Sequence, residues 1–117
     1  MPGGVNANKI EKLKNDILGK RYALSVVSVS EEKSKEINKK YRGEDKATNV
    51  LSFALRKNEG ELVLCPAVIR RETKIFGKSF DWLFGFLVIH GMLHLKGHDH
   101  GKKMEKLEKK YLSRTKF

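Results

Sequence analysis

Apolar residues recur at helical spacing, and then in a short β-branched run, along the first part of the chain. Residues 8–19 predict a helix with one apolar face, and residues 22–29 predict a strand. Ser30 is placed to cap a second helix that ends near Tyr41. A polar, flexible stretch over residues 42–47 follows this helix. The first part of the chain therefore predicts the order helix, strand, helix.

The remainder of the chain predicts a hairpin followed by three helices. Residues 50–55 and 61–65 have the pattern of strands, and the glycine-containing residues 56–60 have the length of a hairpin loop. The three helices are expected to begin at Pro66, after Ser79 and near Lys102. The helix after Ser79 is apolar on nearly every side through Ile89, so we expect it to be buried.

These elements predict an α+β fold, in which a small mixed sheet of three or four strands is covered by helices around one central buried helix. With 117 residues, the chain has room for one domain, spanning residues 1–117. Residues 1–7 are not needed for its core and are expected to be disordered.

The charge balance of the chain is strongly basic. Twenty-five Lys and Arg residues oppose 14 Asp and Glu residues, which gives a formal net charge of +11. Such a surplus predicts attraction to a polyanion such as nucleic acid. A solvated cationic surface that only keeps the protein soluble is the alternative.

The sequence favours a cytoplasmic protein without a membrane partner. The longest apolar run, residues 82–89, falls far short of the roughly 20 residues that span a bilayer. The first residues lack the apolar core of a secretory signal. Cys65 is the single cysteine, which excludes an internal disulfide and a cysteine-based zinc knuckle, and we expect it to be buried.

The four histidines of the chain are concentrated in one segment, residues 90–100. His90 and His94 are four residues apart and project from the same face of a helix. Gly97 can end that helix and turn the chain back, so that His100 supplies a third nitrogen. Three imidazoles with an open fourth position predict a catalytic zinc site that holds one Zn²⁺ per chain.

Other interpretations of this segment remain open. His90 and His94 could be core histidines bonded to the backbone, although burying both without a shared partner is costly. Asp99 could accept a hydrogen bond from the free N–H of a ligand, or it could cap the last helix. His98 is a second candidate for a position next to the ligands, or it could face solvent.

The histidine spacing is also that of the metzincin proteases. Those enzymes carry a Glu directly after the first histidine as the general base. Here that position is Gly91, which weighs against proteolysis. A metallopeptidase would need a Glu from elsewhere in the chain, with Glu44 and Glu61 as the candidates.

Three segments resemble a known family. The segment His90-Gly-Met-Leu-His-Leu-Lys-Gly-His-Asp-His100 resembles the signature H-G-x-L-H-L-x-G-[Y/H]-D-H of the bacterial YbeY family. Upstream, Tyr41-Arg-Gly-Glu-Asp-Lys-Ala-Thr-Asn-Val-Leu-Ser-Phe53 is similar to the family's second block. Gly60-Glu-Leu-Val-Leu-Cys65 is similar to its G-D-I-x-I strand, with Glu in place of the usual Asp.

The resemblance implies a zinc-dependent, single-strand-specific endoribonuclease of the bacterial cytoplasm. Members of that family act in the maturation of small-subunit ribosomal RNA, especially its 3′ end, and in ribosome quality control. The resemblance implies that His90, His94 and His100 are the metal ligands and that Arg42 takes part in RNA cleavage. The implied partners are single-stranded RNA, ribosomal RNA and the small ribosomal subunit, and DNA is not expected.

Several residues have an ordinary structural interpretation beside the functional one. Lys46, Lys102 and Lys103 could contact RNA phosphate, or they could form a solvated face. We expect the aromatic side chains of the central helix, Trp82, Phe84 and Phe86, to be core rather than platforms for base stacking. A zinc-stabilised RNA-binding or ribosome-assembly factor without cleavage activity is the remaining alternative, and nickel or copper would fit similar ligands.

Overall fold

The computed structural model describes residues 7–115 and 117, which form five helices and three strands. In chain order they are α1 (Ala7–Ile17), β1 (Ala23–Ser28), α2 (Glu31–Arg42), β2 (Val50–Arg56), β3 (Glu59–Leu64), α3 (Pro66–Phe76), α4 (Phe80–Lys96) and α5 (Lys102–Thr115). The predicted α+β class and the order of elements are confirmed. The expected disorder of residues 1–7 concerns mainly residues 1–6, which lie outside the described residues, whereas Ala7 already begins α1.

The sheet has three strands in the order β1-β3-β2. Strand β1 pairs parallel to β3, with Val26 opposite Leu62, and β2 pairs antiparallel to β3. The sheet is therefore mixed, as expected. The β2–β3 connection is tighter than the sequence indicated: the strands extend to Arg56 and Glu59, so the expected five-residue loop is reduced to a two-residue turn.

Helix α4 is the centre of the fold and packs against α1, α3, α5 and the sheet. Phe84, Val88 and Met92 on this helix are fully buried, and burial of such side chains stabilises the fold by about 1.5–3 kcal/mol each. Ser79 caps its start by accepting a hydrogen bond of 3.1 Å from the Trp82 N–H. Gly97, with φ of 107°, ends it in the left-handed conformation.

The helix passes close to the sheet at Gly91. A Cβ atom at this position would lie 2.6 Å from the Leu62 Cδ2 atom and 3.0 Å from the Ser52 Oγ atom. Only glycine permits this approach without displacement of its neighbours. The last two turns of α4 are thereby brought next to β2 and β3.

The connection between α2 and β2 is fastened to α2 by buried polar side chains. The Ser34 hydroxyl donates to the Thr48 carbonyl and accepts from the Thr48 N–H, at 3.1 and 3.0 Å. The Asn38 amide donates a 2.8 Å hydrogen bond to the Lys46 carbonyl. The connection is therefore held to α2 at Thr48 and at Lys46, and Lys46 belongs to the stretch that was predicted to be flexible.

The structure also bears on the predicted burial of Cys65 and on the question of a membrane-spanning helix. Cys65 is fully buried at the start of α3, as predicted. Within residues 7–115 and 117, no helix combines the length and the apolar character required to cross a bilayer.

Candidate metal centre

The three histidines predicted to bind metal lie together. His90 and His94 occupy successive turns at the end of α4, and the turn after Gly97 returns His100 to the same place. One ring nitrogen from each histidine lies within 4.8 Å of the other two. The two Nε2 atoms of His90 and His94 are 3.1 Å apart. Three nitrogen donors from a helix and the loop behind it thus converge on one point.

The outer ring nitrogens fix which atoms face that point. The Nδ1 atom of His90 lies 2.6 Å from a carboxylate oxygen of Glu108, and the Nδ1 atom of His94 lies 3.1 Å from the His98 carbonyl oxygen. An ionised carboxylate and a carbonyl only accept hydrogen bonds, so both Nδ1 atoms are the donors. Both Nε2 atoms then present lone pairs to each other.

When both imidazoles are neutral, the facing Nε2 lone pairs are satisfied either by a metal ion or by a proton held between the two nitrogens. Tetrahedral zinc with Zn–N bonds of about 2.0–2.1 Å separates two ligand nitrogens by about 3.3–3.4 Å. The observed Nε2 separation of 3.1 Å is close to that spacing. The donor set fits a divalent metal ion such as zinc, with His90, His94 and His100 as the protein ligands.

Burial and mutual proximity act on the protonation of the middle histidine. Desolvation lowers the pKa of His94, and the neighbouring His90 and His100 lower it further. The His98 carbonyl and the charge of Asp99 act in the opposite direction but are weaker. The neutral imidazole is the form that binds a metal ion, so the environment favours the competent state.

The two residues expected to support the ligands are placed differently from each other. His98 meets His94 through its backbone carbonyl, whereas the expectation concerned its side chain. Asp99 is exposed, and its contact with the site is the weak electrostatic effect on His94. For His90, the carboxylate that lies against the outer ring nitrogen is that of Glu108.

Glu108 is the residue of the site that the sequence analysis missed. It lies on α5, 18 residues after His90, within a lysine-rich run. A signal was available, because Glu108 follows the buried Met104 by one helical turn and precedes Leu112 by another. A single carboxylate in the apolar stripe of a helix indicates a partner charge in the core.

An open cleft of about 700 Å³ leads to the three histidines. Residues 48–53 line one side, and α4 lines the other with its histidines and with Phe86. Tyr41 and Arg42, at the end of α2, and Phe76, at the end of α3, complete the lining. The cleft therefore joins the candidate metal centre to the ends of two other helices.

Arg42 is the last residue of α2, and its side chain is half exposed. Its guanidinium lies 4.0 Å from the Glu44 carboxylate, an exposed pair that water screens and that leaves the guanidinium accessible. Arg42 and the histidines thus share one cleft. Lys46, Lys102 and Lys103 are exposed and lie outside the cleft lining.

The aromatic residues of α4 divide between the core and the cleft. Phe84 is fully buried, as expected. Trp82 and Phe86 are partly buried against the core, and their rings stack 5.4 Å apart. Phe86 also lines the cleft, with its ring 6.1 Å from that of His90, so the expectation of a purely structural role does not describe it fully.

Taken together, the fold and the site define an α+β protein with a three-histidine centre that could hold a metal ion at the base of an open cleft. A family model described as "Endoribonuclease YbeY" matches residues 5–116. The chain belongs to the YbeY family.

Individual relatives agree with this assignment. The chain is 41% identical over 103 residues to "Endoribonuclease YbeY" of Lactobacillus helveticus, and the alignment covers 73% of this chain and 59% of that protein. It is 36% identical over 114 residues to the Staphylococcus carnosus protein of the same name, covering 87% of this chain and 71% of the relative. The chain thus spans less than two thirds of the first relative and more than two thirds of the second.

A solved structure is similar over nearly the whole chain. The solution structure of a Thermotoga maritima protein aligns with a TM-score of 0.67 and 33% identity. The alignment covers 97% of this chain and 85% of that one. The arrangement of helices and strands described above is therefore found in an independently determined structure.

Proposed function

We propose that this chain is a metal-dependent endoribonuclease that cleaves single-stranded RNA. The observation that carries the proposal is that three convergent histidines and Arg42 line one cleft. Relatives from Lactobacillus helveticus and Staphylococcus carnosus bear the name "Endoribonuclease YbeY". The net charge of +11 suits an anionic polymer as the substrate.

His90, His94 and His100 would hold one zinc ion per chain, and nickel or copper are the alternatives for such a donor set. A bound zinc ion supplies Lewis-acid chemistry, which makes water nucleophilic near neutral pH. Glu108 and the His98 carbonyl keep the imidazoles of His90 and His94 oriented toward the ion. Asp99, next to His100, would add negative charge at the edge of the site.

Arg42 would hold the scissile phosphate. A guanidinium donates two parallel hydrogen bonds to a phosphate and offsets the charge that develops there during cleavage. Among the described residues that line the cleft, Arg42 is the only Lys, Arg, Asp or Glu. The cleft lining itself therefore carries one cation and no carboxylate, which suits an anionic strand.

The same cleft argues against a metallopeptidase. The base of such an enzyme follows the first histidine, where this chain has Gly91. A larger residue there would collide with Leu62 and Ser52. Glu44 and Glu61, the substitutes considered from the sequence, do not line the cleft.

The substrate in the cell would be the 3′ end of small-subunit ribosomal RNA, with the small ribosomal subunit as the partner, in the cytoplasm. This part of the proposal rests on the similarity to the YbeY family. Lys46, Lys102 and Lys103, which lie outside the cleft, would contact phosphates distant from the scissile bond. Neither DNA nor a membrane is proposed as a partner.

Cleavage of a labelled single-stranded RNA that carries the 3′ end of a small-subunit precursor tests the proposal. Four identically prepared proteins are compared, with zinc and with chelator: wild type, His94→Ala, Arg42→Ala and Arg56→Ala. Arg56 is a matched control, because its side chain is exposed at the β2–β3 turn and outside the cleft.

Cleavage by wild type and Arg56→Ala with zinc, weak cleavage by Arg42→Ala and none by His94→Ala would support the proposal. Equal cleavage by all four proteins would identify a contaminating ribonuclease. Tight RNA binding without cleavage would instead favour a zinc-stabilised assembly factor.

A further inference from the structure

Two aromatic side chains are exposed at the mouth of the cleft. Phe76, at the end of α3, is 56% exposed, and Tyr41, at the end of α2, is 61% exposed. Both line the cleft that contains the three histidines. The sequence predicts core positions for the aromatic residues of α4, and the exposed aromatic rings of the cleft lie instead on α2 and α3.

Each ring is positioned to receive another flat group. Among the described residues, Phe76 has no aromatic or cationic ring partner. Tyr41 packs against Phe53 of β2 with ring centroids 5.2 Å apart, which anchors it while more than half of its surface stays in solvent. Apolar surface left in water at the edge of a cleft is typical of a site that a ligand covers.

A cation lies against the Tyr41 ring, and further cations are close to both rings in sequence. The Lys40 ammonium lies 5.4 Å from the centre of the Tyr41 ring, and Arg42 follows it. Lys74 and Lys78 are both exposed and lie two residues before and after Phe76 in sequence, and the Lys78 ammonium lies 4.9 Å from the centre of the Trp82 ring. A ring for a base with cations for the adjoining phosphates is the pattern that binds a single nucleic-acid strand. These positive charges would not stabilise the binding of an apolar protein partner, whereas they would stabilise the binding of RNA phosphates.

We propose that Phe76 and Tyr41 stack on unpaired bases of the RNA, and that this contact makes the cleft selective for single strands. The inference rests on the proposed function, since it names the residues that recognise that substrate. Bases within a duplex already stack on one another and do not offer their faces to a side chain. A strand with free bases gains the contact, whereas a duplex gains only the phosphate contacts.

Binding to three RNAs tests this inference: a single strand, the same strand with abasic sites in place of its bases, and a duplex. Fluorescence anisotropy is measured on the zinc-loaded chain, and a gel of each sample shows whether the strand is intact. Wild type is expected to bind the base-bearing strand most tightly. Loss of one stacked base corresponds to weakening by about tenfold.

Variants locate the contact. Phe76→Ala and Tyr41→Ala are each expected to bind the base-bearing strand about tenfold more weakly and the abasic strand as wild type does. Phe76→Trp, which keeps a stacking face, is expected to retain affinity. Ile75→Ala is the matched control, because Ile75 precedes Phe76 on the same helix, is 79% exposed and lies outside the cleft.

The outcomes separate this inference from the proposed function. Base-dependent binding that Phe76→Ala weakens about tenfold and Ile75→Ala preserves supports the inference, whether or not the strand is cut. Normal cleavage together with equal affinity for base-bearing and abasic strands overturns the stacking inference. The proposed endoribonuclease function is not affected by that result. Equal losses in Phe76→Ala and Ile75→Ala, or displacement of the RNA by an unstructured neutral peptide, also overturn it.

Discussion

A carboxylate oxygen of Glu108 lies 2.6 Å from the Nδ1 atom of His90 and joins α5 to the candidate metal centre. Glu108 is only 7% exposed, so this contact is made largely out of water. A buried carboxylate needs a hydrogen-bond donor, and the imidazole N–H supplies one. The last helix therefore both covers α4 and orients one of the histidines.

Glu108→Gln is expected to weaken zinc binding by about 10- to 100-fold. The amide can still accept a hydrogen bond, but it lacks the negative charge that strengthens the hydrogen bond from the imidazole N–H. Competition with a chromophoric zinc chelator measures the change in affinity. The control is Glu105→Gln, which alters an exposed glutamate on the same helix. Equal zinc affinities for the two variants would show that Glu108 has no part in holding the metal.

The sequence was sufficient where the signal is local. Ser30 and Ser79 cap their helices, and Gly97 ends α4, at the predicted positions. Each of these features depends on hydrogen bonds within a few residues, so it can be predicted from the local sequence alone. The i, i+4 spacing of His90 and His94 is local in the same way, which explains why their shared helix face was predictable.

Features that depend on distant segments were not predictable. Glu108 meets His90 only because α5 folds back along α4, and although its place in the apolar stripe of α5 indicates a buried partner, the local sequence does not identify which one. The exposure of Phe76 and Tyr41 is also a product of tertiary packing, because it depends on how far other elements cover each ring. Gly91 was recognised as a missing catalytic base, whereas its close approach to Leu62 required the packed sheet.

Gly91→Ala is expected to destabilise the protein. In an ordinary helix position this change is stabilising by up to about 1 kcal/mol. Here the new Cβ would lie 2.6 Å from the Leu62 Cδ2 atom, so Leu62 and the helix must shift, at a cost of about 1–3 kcal/mol. Urea unfolding measures the net change, and an increase in the free energy of unfolding would show that α4 and the sheet are not in close contact there.

Ser34→Ala is expected to lower the free energy of unfolding by about 1–3 kcal/mol, because the buried N–H and carbonyl of Thr48 lose their partner. Ser34 is 2% exposed and makes both hydrogen bonds with a single hydroxyl. Ser113→Ala, at an exposed position of α5, serves as the control in urea unfolding. Faster amide exchange at Thr48 should accompany the loss, and unaltered exchange with full stability would contradict the role given to Ser34.

Removal of the metal is expected to lower the melting temperature of the wild type. A ligand that binds only the folded state at 1,000 times its dissociation constant stabilises that state by about 4 kcal/mol. Saturating zinc should therefore raise the melting temperature, and a chelator should reverse the rise. In His94→Ala the middle ligand is lost, so zinc and chelator should give the same melting temperature. A zinc-dependent rise in His94→Ala as large as that of the wild type would place the metal elsewhere on the chain.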